Sequence, residues 1–254
     1  MDINKNSYTL GFAAIMVIVV AALLSVASTE LKPYQDRNIE LEKKQNILSS
    51  IGIVVDREQA PAIYTENITK ELIININGEE LEGDAFSLDL AKEIKKDAKE
   101  QKLPLFISEK GGAKQYIIPL RGKGLWGPIW GFIALEEDLS TVFGAVFDHK
   151  GETPGLGAEI NQEKFQQPFK GKSIFEGDKF TSIAVIKGGV PEGDMHGVDG
   201  ISGGTITSNG VSEMLNERLE KYLPYFDRIR PEVEVDSILS QMDSTKVENE
   251  IILD

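Results

Sequence analysis

The sequence contains no cysteine. Disulfides, cysteine-ligated zinc, iron–sulfur ligation and thiol catalysis are therefore excluded for this chain. Histidine is nearly as scarce: His149 and His196 lie far apart, without HExxH spacing. No G-x-S-x-G elbow supports a serine triad either. Positive charge is also short. Lys and Arg total 27 against 41 Asp and Glu, a net charge of -14. Nucleic acids and acidic lipid headgroups require the opposite balance, so no nucleic-acid partner is expected. Nucleotide motifs fail as well. Gly171-Lys172-Ser173 ends like a P-loop, but Gln166 stands where glycine is required, and Pro168 disfavours the preceding strand. Gly155-Leu156-Gly157 lacks the third glycine and the βαβ unit of a dinucleotide fold.

What is present begins with an uncharged run from Tyr8 to Thr29. About 20 apolar residues span a bilayer as a helix. Ser25-Val26-Ala27 resembles a signal-peptide cleavage site, but the run is long for a signal core and only Lys5 precedes it. A retained anchor is the expectation. Beyond it, residues 32–50 carry Tyr34, Leu41 and Leu48 at heptad spacing beside Ile47. This predicts a helix leaving the membrane with one modest apolar stripe. Pro61 is expected to end a second short helix.

The remainder reads as α+β. Alternation predicts strands over 71–77, 103–107, 115–120, 129–135, 141–148 and 180–187. Helical periodicity predicts a helix from Ser87 to about Gln101, with Leu90, Ala91, Ile94 and Ala98 on one face. A weaker one covers 159–169. The clearest helix starts at Ser208 or Asn209, with Val211, Met214, Leu215, Leu219 and Tyr222 as its apolar stripe. The expected architecture is a single N-terminal transmembrane helix followed by a mixed α+β domain with an antiparallel sheet. The segments are 1–7 (short, polar), 8–29 (membrane helix), 30–60 (exit helix), 61–230 (α+β domain) and 231–254 (acidic tail).

Two loops stand out for chemistry. Asp199-Gly-Ile-Ser-Gly-Gly-Thr-Ile-Thr-Ser-Asn209 places Ser202, Thr205, Thr207 and Ser208 around Gly203 and Gly204, just before the best helix. Glycine permits close backbone approach to a ligand, and a helix start favours a phosphate. The same loop can be a plain helix cap, and the residues alone leave both readings open. Residues 121–131 hold four glycines and both tryptophans. They form either a hairpin with tryptophan packed in the core, or a binding loop in which Trp126 offers an aromatic wall.

The Asp199-Gly-Ile-Ser-Gly-Gly-Thr205 stretch, Glu152-Thr-Pro-Gly-Leu-Gly157, Gly-Leu-Trp-Gly-Pro-Ile129 and the Tyr8–Thr29 run together resemble the FMN-binding domain family. That family includes the C subunit of the bacterial sodium-translocating NADH:quinone oxidoreductase and the G subunit of the related Rnf complex. Its flavinylation motif, Asp-x-x-Ser/Thr-Gly-Ala-Thr, is met by Asp199, Ser202, Gly203 and Thr205, with Gly204 in place of alanine. The resemblance implies FMN held by a phosphoester to Thr205, with Thr207 as the alternative acceptor. It assigns Ser202, Gly203, Gly204 and Thr207 to the phosphate and Asp199 to recognition by a flavin transferase. Glu152, Thr153, Gly155, Leu156, Gly157 and Trp126 fall on the ring side. The length between anchor and Trp126 favours the quinone-reductase type over the Rnf type. A membrane-anchored phosphate-binding module without cofactor is the reading of a different class. The quinone-reductase resemblance implies an electron carrier between NADH and quinone, in a six-subunit complex of the bacterial inner membrane that exports sodium. The soluble domain would face the periplasm. No catalytic residues and no metal site are expected.

Overall fold

The structure is a computed structural model that describes residues 6–110 and 112–230. The expectations for the acidic tail and for most of the first segment lie outside those residues. Two compact units divide between Lys44 and Gln45. The expected membrane and exit helices form one element: α1 (Asn6–Ser50) runs unbroken through Pro33. It is long and apolar enough to cross a membrane. The second unit takes in the last turn of α1, where Ile47 and Leu48 are buried. It therefore starts earlier than the expected boundary at 61.

The unit from Gln45 onward is built on a six-stranded antiparallel sheet in the order β2-β1-β3-β4-β5-β6. Its strands are β1 (Ile68–Ile74), β2 (Glu80–Leu81), β3 (Leu103–Lys110), β4 (Ala113–Lys123), β5 (Pro128–Leu135) and β6 (Val142–His149). Period-2 alternation decides which face each side chain meets. Leu103, Leu105, Tyr116, Ile118, Leu120, Ile129 and Ile133 share one face with Val211, Met214 and Leu215 of α5 (Thr205–Glu220). Phe106, Ile117, Phe132 and Ala134 face the other side. There they meet Ile47, Leu48 and Tyr64, the last from α2 (Ala60–Asn67). Every residue of the predicted α5 stripe, through Leu219 and Tyr222, lies in the first cluster. The chain is helical again over 223–230, with Pro224 in the first turn.

Four expectations fail for local reasons. Pro61 does not end a helix. It sits in the first turn of α2, where its missing N–H has no carbonyl to satisfy. The helix over 87–101 shrinks to α3 (Leu90–Glu93) and a 3-10 turn at Ala98–Glu100. Asp84 captures the Ser87 N–H and hydroxyl in a turn. Asp89 caps α3 by accepting the Ala91 N–H, which moves the helix start to Leu90, and Ala98 is left exposed with no face to bury. The helix over 159–169 breaks into a 3-10 turn at Gly157–Asn161, α4 (Glu163–Gln166) and a second 3-10 turn holding Pro168. Phe165 and Phe169 nevertheless pack on Phe147, with ring centroids 5.9 and 4.9 Å away. The strand over 180–187 is interrupted by Ser182, which takes φ 62°. A short β7–β8 hairpin (Phe175–Glu176, Lys179–Phe180) precedes the break. After it β9 (Ala184–Ile186) pairs in parallel with β10 (Gly197–Asp199).

Glu93 yields a pH prediction. Burial would raise its pKa, but the Lys96 side chain and the Lys102 backbone N–H bond its carboxylate and outweigh this, so the value falls below 4.5. A carboxylate with a lowered folded pKa contributes stability that is present above the unfolded value and lost as pH falls through the folded one. Glu93→Gln should therefore be less stable than wild type at neutral pH, with the gap closing below pH 4.5. Urea unfolding at several pH values checks this, and a gap that stays constant would refute it.

Candidate functional site

The β4–β5 hairpin closes through a four-residue loop, with Gly124 N–H donating to Gly127 O at 2.8 Å. The loop holds Leu125 and Trp126 out of the core, and Trp126 is 69% exposed. Of the two readings for this segment, the core-packed tryptophan is therefore excluded for Trp126. Beside the loop, α5 packs without room for a side chain. A Cβ at Gly210 would fall 2.2 Å from Lys123 O. The hairpin tip and the first turns of α5 are thereby held together.

The segment following β6 completes the arrangement. Glu152 is 5% exposed and sits between the other two pieces. Its Oε1 accepts the Trp126 backbone N–H at 2.8 Å. Its Oε2 accepts the Thr207 hydroxyl at 2.6 Å. Thr153 Oγ1 accepts the Trp126 indole N–H at 3.2 Å. Thr153 O then accepts N–H groups from Leu156 and Ala158, both at 3.1 Å, and Gly155 N–H donates to Glu159. This tight loop lays Leu156 against the hydroxyl-rich turn: a Cβ on Gly203 would lie 2.6 Å from Leu156 Cδ2.

That turn precedes α5 directly. The helix begins at Thr205, not at Ser208 or Asn209. Ser208 lies inside the helix, where its hydroxyl accepts the Ile201 N–H at 3.2 Å. The N-cap is Gly204, which supplies no side-chain bond. The first-turn N–H groups have no intrahelical acceptor. Gly203 takes φ 76°, a conformation that a side chain would strain. Ser202 and Gly203 are exposed, and Thr205 is half-buried at the first helical position.

These features fit FMN. A phosphate finds open backbone N–H groups and the positive end of the helix dipole beside a hydroxyl. A flat ring finds Leu125, Trp126, Leu156 and Ile206, all exposed. Two residues read as phosphate- or ring-side contacts have other positions. Thr207 is 1% exposed, and its hydroxyl donates to Glu152 Oε2. Glu152 is buried between elements, not presented to a ring. Asp199 is exposed at the end of β10, and its Oδ1 accepts the Val190 N–H at 2.8 Å, which closes the glycine-rich loop before it. Burial raises the hydroxyl pKa of Tyr64 and of Tyr222, and burial followed by Arg218 lowers that of Lys221.

A family model described as the FMN-binding domain matches residues 124–220, from the hairpin tip to the last residue of α5. The C subunit of the Na(+)-translocating NADH-quinone reductase of Vibrio alginolyticus is 32% identical over 253 residues. The match covers 91% of this chain and 98% of that one. The chain belongs to this NqrC family. Among solved structures, the corresponding reductase subunit from Parabacteroides distasonis is similar at 46% identity and TM-score 0.72, covering 77% of this chain and 96% of the other. NqrC from Shewanella oneidensis is similar at 28% identity and TM-score 0.63, covering 77% and 98%.

Within this NqrC-family chain, sequence reasoning missed Gly124, His149 and Gly210. Gly210 was findable, because glycine on the apolar side of an otherwise strong helix signals close approach. His149, whose Nδ1 accepts the Glu152 N–H at 3.1 Å, left no such trace.

Gly204, where the family motif has alanine, can be tested directly. Its φ of -101° suits any residue. A Cβ would lie 2.9 Å from Ile201 Cγ2, 3.0 Å from Ile201 Cβ and 3.3 Å from the Leu156 carbonyl carbon. Ile201 is half-buried and can yield by a few tenths of an ångström. The loss of unfolded-state freedom contributes about 0.4–1 kcal/mol in the opposite direction. Gly204→Ala should therefore change stability by less than about 1 kcal/mol. Thermal unfolding measures this, and a larger loss would contradict the expectation.

Proposed function

We propose that this chain is the flavin-carrying electron-transfer subunit of a Na(+)-translocating NADH-quinone reductase, with FMN joined to Thr205 by a phosphoester. Membership of the NqrC family and the FMN-binding domain match support the function. The observation that carries the attachment point is the placement of Thr205. It is the hydroxyl residue at the first position of α5, next to exposed Ser202 and Gly203, whereas Thr207 is buried.

Bound FMN supplies one- and two-electron redox chemistry. The chain's own residues bind and expose it. Thr205 Oγ1 would carry the phosphoester, and the first-turn N–H groups with Ser202 would hold the phosphate oxygens. Leu156 and Trp126 offer apolar surface to the ring, with Thr153, Gly155 and Gly157 shaping the loop beneath. Asp199 steadies the loop presented to a flavin transferase. A covalent tether lets a shallow, accessible site keep its carrier through changes of redox state, so exchange of electrons by contact with other subunits needs no deep pocket. Acid–base machinery is not required.

The helix α1 anchors the chain in the bacterial inner membrane, with the soluble domain on the periplasmic side. No ionisable residue lies between Tyr8 and Thr29, so the sodium path belongs to other subunits. Coverage of 91% by an NqrC relative favours this reading over the Rnf type, and the FMN-binding match favours it over a module without cofactor. Co-expression of the full chain with a flavin transferase tests it. The denatured protein should remain fluorescent, with a mass increase of one FMN less one water. A wild-type chain that carries no flavin overturns the reading.

A further inference from the structure

We propose that Glu152 is the positioning residue of this site: its buried carboxylate locks the hairpin tip to the first turn of α5, and so sets Thr205 relative to the ring-side loop without touching the ligand. The inference rests on the flavin-carrier reading above.

Burying a carboxylate is costly unless its oxygens are bonded. Here both oxygens accept, one from the Trp126 backbone and one from Thr207. Their donors belong to elements far apart in sequence. The backbone that carries it is also anchored, because the Glu152 N–H donates to His149 Nδ1 at the end of β6. Space for it is made on both sides. A Cβ at Gly124 would lie 2.5 Å from Oε1, and one at Gly157 would lie 2.5 Å from Oε2. Three separate segments, the Trp126 loop, the Thr153 loop and the Thr205 turn, thus share one side chain as their common contact. Thr207 is two residues after Thr205, so the bond from Oε2 fixes the turn that carries the acceptor hydroxyl. The bond from Oε1 fixes the backbone of the exposed tryptophan.

Attachment requires the hydroxyl and the bound ring to be oriented together, and small misplacements slow such steps steeply. The test uses the full chain, in detergent and in co-expression with a flavin transferase. Glu152→Ala should load FMN at least about tenfold more slowly than wild type, at equal folded amounts. Without flavin, its tryptophan fluorescence should shift, because the Trp126 backbone is released. Glu152→Gln should recover to within about threefold of wild type. Its carbonyl can still accept the Trp126 N–H, and its amide can donate to the Thr207 oxygen. Thr207→Ser should load like wild type, and Thr207→Val should be slow. Wild-type loading rates for Glu152→Ala and Thr207→Val would overturn the proposal. So would a Gln variant as slow as Ala, or a loss explained wholly by a smaller folded fraction. Absence of flavin from the wild-type chain marks failure of the underlying reading instead.

Discussion

Thr205→Val is expected to leave the chain without covalent flavin: no fluorescence after denaturation and no added mass. Valine matches the shape of threonine, including the branch at Cβ, but lacks the oxygen that the ester needs. The position is half-buried at the start of α5, whose N-cap is Gly204. Its replacement should cost no more than about 1 kcal/mol of stability. A folded chain without adduct is thus the predicted state, rather than an unfolded one. Thr207→Val separates the two candidate acceptors. Thr207 Oγ1 is buried and bonded to Glu152 Oε2, so the variant should load slowly but still reach a covalent product at Thr205. An adduct that survives in Thr205→Val and vanishes in Thr207→Val would move the acceptor to Thr207.

Gly210→Ala should destabilise the domain by about 2 kcal/mol, against the direction that helix propensity alone predicts. Alanine is favoured over glycine inside a helix by about 1 kcal/mol. At Gly210, however, the added Cβ would stand 2.2 Å from Lys123 O. That carbonyl belongs to β4, which is paired with β5 at Lys123↔Pro128, and cannot step aside as a side-chain tip could. Crowding of this kind costs roughly 1–3 kcal/mol or more, and the approach is close enough for the upper end. Crowding therefore outweighs propensity. For a domain of this size the midpoint of thermal unfolding should fall by about 4–8 °C. Flavin loading should slow as well, because the same contact holds α5 against the hairpin tip. An unchanged or raised midpoint would show that the helix can shift without loss.

Much of the sheet was legible in the sequence. The alternation over 103–107, 115–120, 129–135 and 141–148 appears as β3, β4, β5 and β6 with ends moved by a few residues. These strands bury both faces or one face against large clusters, so hydrophobic period and structure agree. The predicted helices over 87–101 and 159–169 had similar apolar spacing and did not form as such. Asp84, Pro168 and the extended Gln162 decided locally against them. Periodicity reports which residues want burial. It does not report whether nearby side chains will compete for the backbone.

The site divides along the same line. By itself the sequence determined the inventory: an apolar span long enough for a membrane, two glycine-rich loops, a hydroxyl-rich turn before a strong helix, and the motif order that places the chain in its family. Each is a property of neighbouring residues. Only the tertiary structure decided which hydroxyl is open. Thr205 and Thr207 are equivalent in composition, but the α-helical rotation between them leaves Thr205 half-buried at the helix start and turns Thr207 inward onto Glu152. The role of Glu152 likewise depends on the Trp126 loop, the end of β6 and α5 meeting at one point. Burial and hydrogen bonding arise from residues distant in the chain, and no local pattern encodes them.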